Sequence, residues 1–310
     1  MKIGVIGTFN RDTIKLPDRK IKHGWGGIFY NILALSKLIG KRDEIYPVAN
    51  VGYDAYKTVI GFLKKIRGVR LDYLNKVREK NNHCFLTYSD YEQKSEILKG
   101  GVGPLKYENI QNLLDNDLIL LNYISGRDIY FRSLRKLRRN YPGKIYIDIH
   151  SLTLGKYTDG RRYFRCPPRW MSVVECGDYI QMNRMELDLL VSTRKLHDKK
   201  AKSVEIQLRS LVKILEKKGI RITEKVIIIT VGESGCILYY YSGNRWRIQD
   251  IPTRKKAGGG DTTGCGDCFS AGFISGIIKS KSLCDCAKMG NRIASEKFSK
   301  NLQISGMRNT

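Results

Sequence analysis

The chain has 310 residues, 42% hydrophobic and 28% charged, which is the composition of an ordinary globular protein. No stretch approaches the roughly 18 apolar residues of a membrane-spanning helix, so no membrane partner is expected. The opening run MKIGVIGTFN is too short for a secretory signal and predicts a first β-strand. We therefore expect a cytoplasmic protein whose eight cysteines are reduced thiols.

The net charge of +26, from 56 Lys and Arg against 30 Asp and Glu, will attract anions such as nucleotides and sugar phosphates. The densest basic stretch lies at 132–139, where Leu134 and Leu137 follow Phe131 at helical spacing and the cations occupy the other face. No zinc-finger spacing, basic zipper or RNP-type motif accompanies it. The stretch is interpreted as a solvated helix face, and nucleic acid is not expected as a partner despite the charge.

In chain order, short apolar runs alternate with stretches of helical periodicity, which predicts a parallel sheet covered by helices. The predicted strands, each buried on both faces, are KIGVIG, DLILL, KIYIDI, DYIQM and KVIIITVG, and NILALSKLIG predicts a helix. The run HCFLTYSDYEQKSEIL alternates around a polar turn at Ser89–Asp90, which predicts a hairpin with one solvated face. No repeat or linker interrupts the chain, so residues 1–310 are predicted to form a single domain.

The most informative segment is the glycine-rich run 257–267, which passes directly into an apolar helix. Gly264 and Gly266 permit backbone angles that turn consecutive N–H groups toward one point, and the helix adds its unpaired amides and the positive end of its dipole. The turn is therefore a candidate anion site. Asp267 closes it, either as a helix-capping residue or as a base that accepts the proton of an attacking hydroxyl.

The run DTTGCGD at 261–267 resembles the DTxGAGD motif of the ribokinase-like (PfkB) carbohydrate kinase family, with Cys265 where Ala is usual. Other segments resemble that family in the expected order: Asp12, GGIFYN at 26–31, VGYD at 51–54, NRME at 183–186 and TVGESG at 230–235. The resemblance implies an α/β fold of three layers with a mostly parallel central sheet. It also implies a small β lid formed by roughly 13–25 and 83–105.

The resemblance implies that Asp267 is the general base of an ATP-dependent phosphotransferase, with the amides of Gly264, Cys265 and Gly266 on the transferring phosphate. Mg²⁺ would be held, through water, by Asn183 and Glu186. Read locally, those two residues are a turn and a solvated acid. The residues implied on the ATP side are Asn183, Glu186, Thr230, Gly232, Gly235 and Asn291.

On the acceptor side, the resemblance implies that Asp12 and Asn31 bind sugar hydroxyls, while Gly26 and Gly27 let the backbone approach the ring. Read locally, all four belong to a turn and an early helix. The lid would exclude water from the reaction. A homodimer formed through the lids and a monovalent cation such as K⁺ are further features of the family.

The acceptor itself stays open. A nucleoside would call for an aromatic slot, which Phe9, Phe29 or Tyr30 could supply. The acidic sugar ligand of ribokinase has no evident match at 121–125, which argues against ribose. The basic segment 150–170 is either an anchor for an acceptor that already carries phosphate or simply surface charge.

Two other classes of protein are disfavoured by the sequence. A catalytically inactive relative that senses a sugar or nucleotide is disfavoured because Asp267 and both halves of the motif set are present. A dinucleotide-binding oxidoreductase is disfavoured because the first strand leads into GTFN and not into G-x-G-x-x-G, and no Walker A lysine motif is present.

Overall fold

The computed structural model describes residues 1–89, 94–191, 203–253 and 262–299. The predicted hairpin tip at Asp90 and the start of the glycine-rich run, 257–261, lie outside those ranges. The helices are α1 (Ile28–Leu38), α2 (Tyr56–Leu63), α3 (Phe131–Asn140), α4 (Trp170–Cys176), α5 (Arg184–Val191), α6 (Val204–Glu216), α7 (Cys265–Ile278) and α8 (Leu283–Phe298). None of the helices in the described ranges is long and apolar enough to cross a membrane.

A nine-stranded sheet crosses the described part of the chain. Its strands are β1 (Lys2–Ile6), β4 (Glu44–Gly52), β5 (Leu74–Val77), β8 (Leu118–Asn122), β9 (Lys144–Asp148), β12 (Tyr179–Asn183), β13 (Val226–Thr230), β14 (Gly235–Ser242) and β15 (Arg245–Pro252). The strand order is β15-β14-β13-β12-β9-β8-β1-β4-β5. All pairs from β5 to β13 are parallel, and β14 and β15 add an antiparallel edge. The predicted mostly parallel α/β sheet is therefore confirmed.

The strands are buried on both faces because helices cover both faces of the sheet. In β8, Leu118 and Leu120 belong to one apolar cluster, while Ile119 and Leu121 belong to the other. Helices α1, α2, α7 and α8 pack on the first face and α3 to α6 on the second. This is the predicted arrangement of three layers, and it places the carboxyl ends of the parallel strands along one edge.

A second, four-stranded sheet is built from β2 (Phe9–Lys15), β3 (Ile21–Gly27), β6 (His83–Tyr88) and β7 (Lys94–Lys99), in the order β3-β2-β6-β7. The β6–β7 pair is antiparallel, as the predicted hairpin requires. One face carries its own apolar cluster, namely Ile14, Cys84, Leu86, Tyr88 and Leu98. A short hairpin, β10 (Leu154–Lys156) with β11 (Arg162–Phe164), lies against β7 through a hydrogen bond from Leu98 N to Gly160 O.

The base of the small sheet is tied to the main sheet by polar contacts around Asp54, the acid of the VGYD segment. Asp54 accepts a hydrogen bond from Asn81 N at 2.8 Å and forms an ion pair with Arg11 of β2 at 3.3 Å. The amide of Asn81 in turn donates to Phe9 O at 2.8 Å and accepts from Gly52 N at 3.1 Å. The small sheet is thus anchored at a fixed position over the edge of the main sheet.

Candidate active site

Four neighbouring parallel strands end in polar residues at the same edge of the main sheet. These are Asn122 of β8, Asp148 of β9, Asn183 of β12 and Thr230 of β13. The register pairs Asn122 with Asp148 and Asn183 with Thr230. Ligands of open α/β sheets bind at this edge, so the row marks the candidate site.

The glycine-rich turn brings the N-terminus of α7 to this edge. Gly264 has a φ of +82°, and a Cβ on it would lie 2.6 Å from the Tyr30 ring, so both backbone and packing require glycine there. The N–H of Cys265 donates to Thr262 O at 3.1 Å, so in this structure that amide forms a hydrogen bond within the turn that begins the helix. Asp267 lies in the first helical turn and is only 6% exposed.

A buried amide network holds Asp267 in place. The side-chain amide of Asn122 donates to Asp267 Oδ1 at 2.7 Å and to Asn31 Oδ1 at 3.0 Å. Asn31 in turn donates to Asp267 O and to Ser270 Oγ, both at 2.9 Å. Asn31 and Asn122 are fully buried, so Asp267 is fixed from two elements, α1 and β8.

Asn122 is a site residue that sequence reasoning missed. The segment 121–125 contains no acidic side chain, so the sequence does not predict a sugar ligand there. The available signal was a polar residue directly after the buried run Leu118–Leu121, at a strand end where ligands bind. The Oδ1 atom of Asn122 is buried without a hydrogen-bond partner among the described residues.

A second network lies beneath the glycine-rich turn. Gln181 of β12 donates to Asp148 Oδ2 at 2.8 Å and to Gly266 O at 3.1 Å, and Tyr146 OH donates to Gln181 Oε1 at 2.6 Å. Burial, and next the negative charges of Glu186 and Asp267, raise the pKa of Asp148 well above its usual value. These surroundings favour the protonated form of Asp148, which is a further site residue that the sequence did not reveal.

Asn183 and Glu186 meet each other at the N-terminus of α5. Asn183 N and Nδ2 donate to the Glu186 carboxylate at 2.8 and 2.7 Å, and Glu186 N donates to Asn183 Oδ1 at 2.9 Å. This reciprocal capping box fixes a carboxylate at the site edge. No group of three His, Cys, Asp or Glu side chains within the described ranges could hold a metal ion directly. The donor set therefore fits Mg²⁺ only as a hydrated ion, which suits its reluctance to lose water.

The remaining residues predicted on the nucleotide side lie around the β13–β14 turn. Gly235 has a φ of +107°, and a Cβ there would lie 2.2 Å from Ile251 O. Asn291 of α8 is buried and donates to the same carbonyl, Ile251 O, at 2.8 Å. Gly232 has a φ of +56° and open space where a Cβ would be. Gly235 and Asn291 thus have structural tasks, and their contact with a nucleotide stays a prediction.

On the acceptor side, other atoms of the protein occupy the space where side chains at Gly26 and Gly27 would lie. Asp12 lies within β2 and is 7% exposed, and a Cβ on Gly26 would lie 2.0 Å from Asp12 Oδ2. A Cβ on Gly27, whose φ is +67°, would lie 2.2 Å from Thr8 O. The glycines therefore make room for Asp12 and for the strand carbonyl. Asn31 has protein partners on both its oxygen and its nitrogen, which favours a positioning task for it.

The small sheet reaches from the acceptor side to the glycine-rich turn. Tyr88, the last residue of β6, shares a hydrogen bond with Thr263 at 3.2 Å. Of the aromatic residues considered for a nucleoside slot, Phe9 and Phe29 are fully buried and pack on each other with ring centroids 4.6 Å apart. Only Tyr30, against Gly264, is partly exposed.

A model of the pfkB family carbohydrate kinases matches residues 163–309. An uncharacterized sugar kinase of Archaeoglobus fulgidus is 33% identical over 72 residues, 23% of this chain and 27% of that protein. An inositol 3-kinase of Oryza sativa subsp. japonica is 40% identical over 65 residues, 21% of this chain and 15% of that protein. A 2-dehydro-3-deoxygluconokinase of Haemophilus influenzae is 32% identical over 130 residues, 41% and 38% of the two chains. The matched segments thus span well under half of each relative.

Solved structures match over nearly the whole chain. A pyrophosphate-dependent kinase in the ribokinase family, in complex with sulfate, has a TM-score of 0.73 and 17% identity, covering 96% of this chain and 95% of that one. Ribokinase from Thermotoga maritima has a TM-score of 0.70 and 19% identity, covering 98% and 94%. At such identities, the likeness establishes the ribokinase-like fold.

Proposed function

We propose that this chain, whose residues 163–309 match a model of the pfkB family carbohydrate kinases, transfers the γ-phosphoryl group of ATP to a hydroxyl of a sugar or sugar-like molecule. The observation that carries the proposal is the placement of Asp267. Its carboxyl group lies in the first turn of α7, beside the polar ends of the central strands, and is fixed by Asn122. A base in that position would face an acceptor lying at the ligand-binding edge of the sheet.

In the proposed reaction, Asp267 accepts the proton of the attacking hydroxyl. The hydrogen bond from Asn122 to Asp267 Oδ1 holds the carboxyl group in one orientation. The turn at Gly264 to Gly266 begins α7, where backbone amides and the helix dipole favour the negative charge of the phosphoryl group in transfer. Gln181 supports this turn through Gly266 O.

On the donor side, the proposal uses the capping box of Asn183 and Glu186. Its fixed carboxylate would hold waters of Mg²⁺, and the ion would neutralise charge on the ATP phosphates. Asn183 and Thr230 continue the polar edge beyond Asp148, which provides length for a triphosphate. Thr230, Gly232, Gly235 and Asn291 are proposed to contact the nucleotide, and a K⁺ ion stays a prediction.

On the acceptor side, Asp12 is proposed to bind sugar hydroxyls beneath the small sheet. Tyr88 and Thr263 close that sheet onto the catalytic turn, which would exclude water that could take the phosphate. The burial of Phe9 and Phe29 favours a sugar over a nucleoside, because neither ring is available to stack on a base. Within the described ranges, no disulfide involves the buried Cys84, Cys176, Cys236, Cys268 and Cys286, which fits a cytoplasmic enzyme. A homodimer stays a prediction.

The test is a matrix of donors and acceptors. The purified chain with Mg²⁺ is offered ATP or pyrophosphate against neutral sugars, inositols, sugar acids, sugar phosphates and nucleosides, and the phosphorylated product is identified by ³¹P NMR. The proposal expects ATP-dependent phosphorylation of at least one sugar-like hydroxyl and a poor rate with nucleosides. Pyrophosphate as the better donor would replace ATP in the proposal, and inertness with every pair would refute phosphotransfer.

A further inference from the structure

Two arginines of the basic segment 150–170 have buried guanidinium atoms without hydrogen-bond partners among the described residues: the side chain of Arg162 is buried, and Arg165 is half-buried. The Arg162 side chain is only 3% exposed, and among the described residues its ion-pair partner is Glu96 at 3.9 Å, which is too long for a hydrogen bond. Its Nη2 makes two long bonds, both 3.3 Å, to the carbonyl oxygens of Ser151 and Leu154. The Nε atoms of Arg162 and Arg165 are buried with no hydrogen-bond partner among the described residues.

Burial of a guanidinium is costly unless its donors are matched by an anion. Burial lowers the pKa of Arg162, and the positive charge of Arg165 acts on it in the same direction, so the two cations are near neighbours. Glu96 and the buried Asp128 compensate the charge in part. The geometry nonetheless leaves guanidinium N–H groups unused, and such groups suit the planar, bidentate binding of a carboxylate or phosphate.

The location is the space between the small sheet and the main sheet. The register pairs Asp12 with Cys84 and Cys84 with Leu98, and Glu96 lies two residues before Leu98 on the same face of the small sheet. Arg162 contacts this face through Glu96. Asp12 and Glu96, the residue that contacts the buried guanidinium, therefore lie on the same face of the small sheet.

The other side of Arg162 meets loops that follow the catalytic strands. A Cβ on Gly126 would lie 3.5 Å from Arg162 Nη2, and Gly126 follows Asn122 by four residues. Four residues of extended chain span at most about 14 Å. Arg162 thus lies within the length of a sugar derivative from the Asn122 and Asp267 pair.

We propose that Arg162 and Arg165 bind an acid group, a carboxylate or a phosphate, that the acceptor sugar carries at a position remote from the hydroxyl that is phosphorylated. The inference rests on the proposed kinase function and narrows its substrate to anionic sugars. The site would favour acids over neutral sugars because a neutral acceptor leaves the buried guanidinium of Arg162 and the buried Nε of Arg165 unmatched. It also gives the basic segment a task beyond surface charge.

The experiment compares sugar acids (gluconate and 2-dehydro-3-deoxygluconate), sugar 6-phosphates and neutral sugars (ribose, glucose and myo-inositol). Each is tested for turnover with ATP and for binding by calorimetry without donor. The variants are Arg165→Gln, Arg165→Lys and Arg162→Gln, and Arg161→Gln is the control because the neighbouring Arg161 is exposed and pairs with Asp159. The two acid panels distinguish a carboxylate from a phosphate.

The expected result is a preference of at least about 100-fold in kcat/KM for one acid panel over neutral sugars. Arg165→Gln should raise KM and the calorimetric Kd for that acid about 10- to 100-fold, with Arg165→Lys in between and Arg161→Gln unchanged. Equal use of neutral and acidic sugars, or equal loss on both in Arg165→Gln, would overturn the anion site and leave the kinase function standing. Binding of acids that Arg165→Gln abolishes, without any phosphate transfer, would support the site and refute the kinase.

Discussion

Replacing Asn122 by alanine tests whether the amide network positions the base. The variant loses the 2.7 Å bond to Asp267 Oδ1 and the 3.0 Å bond to Asn31 Oδ1, and it leaves both oxygens buried without that donor. A hydrogen bond to a charged group contributes about 1.5–3 kcal/mol and a neutral one about 1 kcal/mol. We expect the free energy of unfolding to fall by about 2.5–4 kcal/mol, the sum of these two contributions.

The activity of Asn122→Ala should fall together with its stability, because Asp267 would no longer be held in one orientation. If the charged bond is expressed in the transition state, about 1.5–3 kcal/mol corresponds to a loss of about 10- to 150-fold in kcat, with KM for the acceptor little changed. The assays are urea unfolding and initial rates of ADP release.

The matched control for this variant is Asn116→Ala. Asn116 is a buried amide just before the other end of β8, and its Nδ2 has no partner among the described residues. It should change stability slightly and kcat not at all. If Asn122→Ala keeps kcat within twofold while its stability falls as expected, the amide supports the fold and does not position the base.

Burial raises the pKa of Asp128 to about 6 from 3.8, so its contribution to stability is full below pH 3.8 and is lost as pH rises through 6. A shift of about two pKa units corresponds to about 3 kcal/mol. Between pH 4 and 7, the free energy of unfolding of Asp128→Asn, measured in urea, should therefore rise by about that amount relative to the parent. Equal pH dependence of the two proteins would contradict this expectation. Gly264→Ala places a Cβ 2.6 Å from the Tyr30 ring at a φ of +82°. Thermal unfolding should show that the variant is less stable by about 1–3 kcal/mol, and an unchanged Tm would refute the requirement for glycine at this position. Tyr88→Phe removes the bond to Thr263; ADP release without acceptor should rise several-fold over transfer to acceptor, whereas an unchanged ratio would mean that the contact does not exclude water.

The main sheet could be predicted because its strands are read from local composition. Ile227, Ile228 and Ile229 are all fully buried, and an unbroken apolar run of that kind indicates a strand covered on both faces wherever it occurs. The antiparallel edge formed by β14 and β15 was not foreseen. Trp246 of β15 stacks on Tyr239 of β14 with ring centroids 4.8 Å apart. A contact between strands of this kind cannot be predicted from a local sequence pattern.

The site could be predicted where one segment carries the chemistry and not where tertiary contacts create it. Asp267 was identified from the turn that contains it, since glycines and a helix start are local features. Asn122 contacts Asp267 across 145 residues of sequence, and Gln181 contacts Gly266 across 85 residues. Asn31 was identified from its motif, but its task differs from a free sugar ligand because both ends of its amide are engaged.

The most direct test of the central claim is phosphate transfer by Asp267→Asn, measured with radiolabelled ATP and the acceptor that the parent prefers. The exposed Asp285→Asn is the control, since Asp285 contacts only the start of α8. The account predicts that Asp267→Asn binds ATP and acceptor with nearly parental affinity and loses at least about 10²-fold in kcat, the scale of general-base catalysis. Transfer by Asp267→Asn at a rate close to that of the parent would contradict it.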